Sequence, residues 1–397
     1  MNKKHEGARI SFQPRIRKGA FFEASWDYGC RNFSVYNRTY ISSTFSNPVE
    51  EYWHVTKHVG LWPVMGERQI EISGDDAPEF IQYLTCRDMS KCEIGQCKYA
   101  LLLNSEAGIV CDPIILRLAE KKYWISTSDC DLELWIKGVH LNSGFKVEVK
   151  DANVSLLQIQ GPKSSALVAK LFGEEFLDLP YYRLRAVTFK EVELIVSRTG
   201  WSGELGYEVY LSDFDKGSFI FNEIMEYGKE FSIATGSVNQ ARRIEAGILS
   251  WGVEMSQDET PYDVGLARLV EFGAGDNFIG RDLALKYSKK EPTKALVGFK
   301  IIPPELESNE TSWKVFYHDK VIGKLTSLAF SPRLKTNIGF GLIQAQYANL
   351  GSKLFVEGYD KLHEAEIVKI PFMEKKQMAN ARELALKFNY SNKERNK

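Results

Sequence analysis

Residues 198–210 read Arg-Thr-Gly-Trp-Ser-Gly-Glu-Leu-Gly-Tyr-Glu-Val-Tyr, with glycines at Gly200, Gly203 and Gly206. Valine-rich residues 192–197 before this stretch and Tyr207–Leu211 within it carry strand patterning, so the segment must turn sharply between two strands. One outcome is a plain hairpin with a glycine-rich turn. The other is a ligand wall: glycine admits close backbone approach, aromatics offer flat faces, and a carboxylate accepts two parallel N–H bonds from a flat heterocycle such as a pterin. Trp201, Tyr207, Tyr210, Glu204 and Glu208 supply those groups.

At 397 residues the chain is long for one core, which predicts two or three domains. A net charge of −1 with 26% charged residues argues against nucleic acid as the main partner. No apolar run reaches the length of a membrane span, and the polar start Met1-Asn-Lys-Lys has no apolar signal region. The expectation is a cytoplasmic protein, with neither nucleic acid nor membrane as partner. The six cysteines (30, 86, 92, 97, 111, 130) lack paired metal spacing and are expected as free thiols. His54 and His58 are four apart, without the glutamate of a zinc protease signature, so no metal is expected.

Short strands and helices alternate through residue 200 in an α+β order. Helical patterns are expected at 48–60, 77–84, 129–141, through 172, 214–228 and 238–250. A boundary is expected near 290, after a stretch holding Gly275, Gly280 and a charged run. Strands at 294–302, 313–318, 320–329, 337–343, 353–357 and 364–369 then suggest a small β-barrel or sandwich. The resulting division is 1–290, 291–385 and a flexible tail at 386–397.

Asp112, before Pro113, reads either as an Asx-type turn or as an acid near a bound amine. Ser126-Thr-Ser-Asp129 reads as a capping box opening a helix. Arg242 or Arg243 with Glu245 reads as a structural ion pair. No Ser-His-Asp or Cys-His arrangement stands out, nor a phosphate loop.

Taken in order, Gly95–Asp112 with Tyr99, the 198–208 stretch, Arg243-Ile-Glu-Ala-Gly247, Gly323–Gly341 and Lys369-Ile-Pro-Phe372 resemble the aminomethyltransferase (glycine cleavage T-protein) superfamily. Within it, Ser34-Val-Tyr-Asn-Arg38, Glu67-Arg-Gln-Ile-Glu71, Asp112-Pro113, Trp201 and Asn239 look closest to dimethylsulfoniopropionate demethylases and their relatives. The resemblance implies a three-lobed α+β folate-binding fold with a C-terminal β-barrel, and tetrahydrofolate as cofactor. It implies Asp112 beside the reacting folate nitrogens, Glu208 at the pterin edge, Tyr99 and Trp201 lining the pterin, and Ser126 where the family has a folate-binding asparagine. Three departures stand out: Cys111 replaces the first of two aspartates, Trp62-Pro-Val-Met65 replaces a Phe-Asp-Val-Ser type segment, and Trp201-Ser-Gly-Glu204 stands where the demethylases read Trp-Ser-Lys-Gln.

The leading expectation is methyl transfer from a small sulfonium or methylammonium donor to N5 of tetrahydrofolate. Trp201 and an N-terminal aromatic (Trp26, Tyr28 or Tyr36) would face the cation. Lys18 or Arg17 would hold a substrate carboxylate, or be surface charges. The alternatives are an aminomethyltransferase or amine demethylase giving 5,10-methylenetetrahydrofolate, and a non-enzymatic folate-binding accessory protein. A homodimer is also expected.

Overall fold

The computed structural model describes residues 10–273 and 277–388. Gly275, part of the expected boundary stretch, lies outside the described residues, as do 389–397 of the expected tail.

The first lobe is built on a six-stranded sheet in the order Leu184–Phe189, Val192–Ser197, Gly206–Leu211, Ser155–Gln160, Val59–Pro63, Ile233–Thr235. Strand residues alternate between faces. Leu157, Ile159, Tyr207, Val209 and Leu211 therefore pack in one core with residues of helices Ser164–Phe172 and Gly217–Gly228. The opposite face carries Leu156, Gln158, Glu208 and Tyr210. Leu156 and Tyr210 pack there with Cys97, Leu116 and Trp124 of the second lobe. That lobe is a five-stranded sheet, Glu148–Asp151, Gln69–Ser73, Lys122–Ser126, Ile114–Ala119, Cys97–Tyr99, with helices Ala77–Leu84 and Leu132–His140.

The third lobe is a closed antiparallel barrel. Its strands are Lys294–Ile301, Trp313–Tyr317, Lys320–Ser331, Thr336–Gln344, Lys353–Gly358 and Lys361–Val368, close to the alternation in the sequence. Closure leaves no unpaired edge.

Several boundaries differ from expectation. Helix Pro48–Lys57 stops before 60 because Val59–Pro63 is a fully buried sheet strand. The 238–250 helix shrinks to Gln240–Glu245, with Gly247 at φ 66 closing it. The chain also changes sheets between Cys97–Tyr99 and Leu102–Leu103. The barrel region does not run to 385, nor is 386 the start of a tail. After the barrel, Met373 N donates to Glu245 O at 2.9 Å and Lys376 N to Gly203 O at 2.9 Å. Helix Ala381–Lys387 then buries Ala381 and Ala385 in the core of the first lobe. Apolar contacts at a four-residue spacing are what make this polar-looking end a docked helix.

Candidate active site

The glycine-rich stretch is a hairpin, with Ser197 opposite Glu208 and Leu194 opposite Leu211. Its turn is plugged by Gln160. A Cβ at Gly206 would lie 2.3 Å from the Gln160 amide, so any larger residue would have to displace that side chain. Gly203, at φ 74, brings the turn against Ala246. The turn delivers Glu204 inward: its Oε1 is 2.8 Å from Arg242 Nη2, and Arg242 also pairs with Glu245. The structural ion pair read in the sequence is thus a buried Glu204–Arg242–Glu245 triad, which removes Glu204 from ligand duty.

Glu208 faces the other way, into the cleft between the first two lobes. Its Oε1 accepts from Gln158 Nε2 at 2.7 Å; its Oε2 accepts from Tyr210 at 3.1 Å and from the Thr199 hydroxyl. Burial raises its pKa, and the hydrogen bonds from Thr199, Gln158 and Tyr210 pull the other way. Across the cleft, Asp112 sits between strands Ile109–Cys111 and Ile114–Ala119. Tyr99 donates to its Oδ2 at 3.0 Å and Ser128 to its Oδ1 at 2.5 Å, so the Asx-turn reading does not hold. Burial pushes the Asp112 pKa up to about 6 against the pull of these two donors. A third carboxylate, Glu67, shares the cleft. Burial and the charges of Glu208 and Asp112 raise it well above the usual range. Tyr36 feels both Glu67 and Asp112 and is raised well above the ordinary tyrosine value, chiefly by burial. Tyr182 feels Glu208 and acts in turn on Tyr99.

Of the residues singled out in the sequence, Tyr36, Tyr99, Asp112 and Glu208 therefore converge on one cleft. Trp201 is half-buried at the hairpin turn, where Arg243 lies 5.6 Å over its ring and covers one face. Ser126 does not join them: it is buried opposite Gln69, whose Nε2 donates to it at 2.9 Å. Ser128 is the hydroxyl on Asp112, and the expected capping box is absent; Asp129 instead accepts from Asn37 N at 2.7 Å. Lys18 lies on the surface, paired with Glu23 at 2.8 Å and 4.3 Å over Phe22. Arg17 is tied to Asp151 at 3.2 Å. Neither lines the cleft. Trp26 is exposed and covered by Arg31 at 4.2 Å. Glu67, Tyr182 and Ser128 were not singled out as site residues, although the Glu67–Glu71 segment carried part of the resemblance.

The six cysteines are unpaired thiols, and the described residues hold no cluster of three or more metal-ligating side chains. No described helix is long and apolar enough to cross a membrane. A surface depression of about 390 Å³ on helix Pro48–Lys57 shares no residue with the cleft. Another, of about 230 Å³, reaches Thr127 and Cys130, flanking Ser128.

The hydrogen bond from Ser128 stabilises ionised Asp112, so its removal raises the Asp112 pKa. In Ser128→Ala the acid limb of the kcat/KM profile is expected to move upward from about pH 6. The variant should therefore lose more activity at pH 6 than at pH 8. An unmoved limb would separate Asp112 from the titration.

The cleft's acceptor capacity matches a donor-rich ring. A carboxylate offers about four lone-pair positions; Asp112 uses two, Glu208 three.

Comparison with known proteins places this arrangement. The GCVT N-terminal domain family matches residues 12–274, and the glycine cleavage T-protein C-terminal barrel domain matches 294–374. Dimethylsulfoniopropionate demethylase of Ruegeria pomeroyi is 29% identical over 346 residues, 87% of this chain and 94% of that one. Aminomethyltransferase of Caldanaerobacter subterraneus is 31% identical over 337 residues, 83% and 89% of the two chains. The crystal structure of the glycine cleavage system aminomethyltransferase T from Bartonella henselae superposes with a TM-score of 0.80 at 24% identity, covering 91% of this chain and 99% of that one, which supports the fold. With both regions matched, the chain belongs to the glycine cleavage T-protein family of tetrahydrofolate-using enzymes.

Proposed function

We propose that this protein transfers a methyl group from a small sulfonium or quaternary-ammonium acid, such as dimethylsulfoniopropionate, to tetrahydrofolate, giving 5-methyltetrahydrofolate. The observation that carries the reading is the grouping of Glu67, Asp112 and Glu208 close enough to act on one another, beside Tyr36 and Tyr99. Three carboxyl groups and aromatic faces favour a cation over an anion. The likeness to the Ruegeria pomeroyi demethylase supports the same choice.

Tetrahydrofolate, when bound, supplies a nucleophilic N5. Glu208 would hold the donor edge of the pterin, with Tyr99 and Trp201 offering aromatic faces to it. Asp112, poised near pH 6, accepts the proton released at nitrogen when the new N–C bond forms. The breaking bond leaves its electron pair on sulfur or nitrogen, so an onium donor departs neutral. The remaining work is alignment, which the rigid cleft walls perform.

The test is incubation of the purified chain with tetrahydrofolate and dimethylsulfoniopropionate, glycine betaine or dimethylglycine. The expected product is 5-methyltetrahydrofolate from a sulfonium or quaternary donor. Failure with every onium donor, together with 5,10-methylenetetrahydrofolate from an aminomethylated carrier protein, would overturn the reading in favour of aminomethyl transfer.

A further inference from the structure

Glu67 follows strand Val59–Pro63 in a tight turn that fixes its backbone on both sides. Its N–H donates to Val64 O at 3.0 Å, and its carbonyl accepts from Gln69 Nε2 at 3.1 Å. The turn is pressed against the hairpin that carries Tyr36. Asn37 Nδ2 donates to Gly66 O at 3.1 Å, and a Cβ at Gly66 would stand 2.8 Å from Tyr36 Cβ. The next residue, Arg68, turns away to Asp151 at 2.6 Å and Glu133 at 2.9 Å. It therefore offers Glu67 no counter-charge.

The half-buried Glu67 carboxylate receives no hydrogen bond and no ion pair from the described residues. Its two acidic neighbours differ: Asp112 has two donors and Glu208 has three. A half-buried carboxylate with like charges beside it and no protein donor is disfavoured in its ionised form. A fixed backbone holds it there nonetheless. A sulfonium or quaternary-ammonium centre carries its charge on carbon-bound hydrogens and has no N–H or O–H to offer. Such a group is met by a bare carboxylate and aromatic faces rather than by a hydrogen-bonded acceptor.

We propose that Glu67, walled by Tyr36, is the specificity residue that recognises the positive charge of the methyl donor. This rests on the methyl-transfer reading above and narrows it to permanently cationic donors. Glu208 keeps the pterin edge and Asp112 the proton.

The experiment compares each onium donor that the enzyme turns over with its uncharged carbon isostere: dimethylsulfoniopropionate with 4-methylpentanoate, or glycine betaine with 3,3-dimethylbutanoate. Affinities are measured on the folate-loaded full chain, by turnover for donors and by inhibition for isosteres. In Glu67→Gln the preference for the cation is expected to fall about tenfold or more. Isostere and tetrahydrofolate affinities should stay near wild type, and Glu67→Asp should recover part of the preference. An unchanged preference in a folded, folate-binding Glu67→Gln would overturn the assignment, as would a loss of tetrahydrofolate affinity instead. If the wild-type chain methylates folate from no onium donor, the methyl-transfer reading falls and this assignment with it. Methyl transfer with an unaltered preference removes this assignment alone.

Discussion

Asp112→Asn is expected to lower the rate of folate methylation by about 10²–10⁴-fold, the range for loss of a positioned proton acceptor. The substitution keeps the shape of the side chain and one acceptor oxygen for Tyr99 or Ser128, the other hydroxyl turning to accept from the new amide N–H, but it cannot take up a proton. Folding should not suffer. Burial already disfavours the ionised form of Asp112, holding its pKa near 6 in the folded chain. At pH 8 the wild type folds with a costly charge in the cleft, and the amide removes it. The expected result is an inactive variant that is at least as stable as wild type at pH 8, by single-turnover kinetics and thermal unfolding side by side. Activity within threefold of wild type would take Asp112 out of the chemistry.

Arg242→Ala is expected to cost about 3–5 kcal/mol of folding stability, as when one partner is removed from a buried ion pair. Arg242 is 3% exposed, Glu204 1% and Glu245 0%. Loss of the guanidinium strands Glu204, leaving only Arg333 and Lys376, each 3.7 Å away. Glu245 would keep Tyr52 at 2.6 Å and Ser331 at 2.5 Å but no cation. The exposed Arg382–Asp178 pair is the control: it has good geometry, at 2.7 and 2.9 Å, but lies in solvent. Arg382→Ala should leave the urea midpoint nearly unmoved. Equal shifts in the two variants would refute the role given to burial.

The barrel was legible as a run of short strand-like segments after residue 290, while its long-range pairings, such as Lys294–Ile301 with Thr336–Gln344 and Lys361–Val368, were not. Motif order singled out Tyr99, Asp112 and Glu208; Tyr99 and Asp112 are hydrogen-bonded, and Glu208 lies on the second strand of the hairpin. The errors have local causes. Ser126 sits in the strand register opposite Gln69, so its hydroxyl is consumed across the sheet, and the free hydroxyl comes two residues later, once the chain has left the strand. Lys18, ahead of helix Phe22–Asp27, finds Glu23 in its first turn, a local contact that competes with any distant ligand. Glu67 was hidden because its significance is a lack of partners, which only three-dimensional packing reveals. The docking of Ala381–Lys387 was likewise invisible, since two buried alanines make a weak apolar pattern.

That returning helix has a consequence for the order in which the molecule assembles. The segment from Met373 onward is made after the barrel, yet Gln377 Nε2 donates to Gly200 O at 2.9 Å and Lys376 N reaches Gly203 O. During synthesis, at about 5–20 residues per second, the barrel can close while the hairpin that carries Glu208 still lacks its outer brace. The hairpin thus waits for a segment made 177 residues later, and its outer side is finished only when the chain behind the barrel has come back to it.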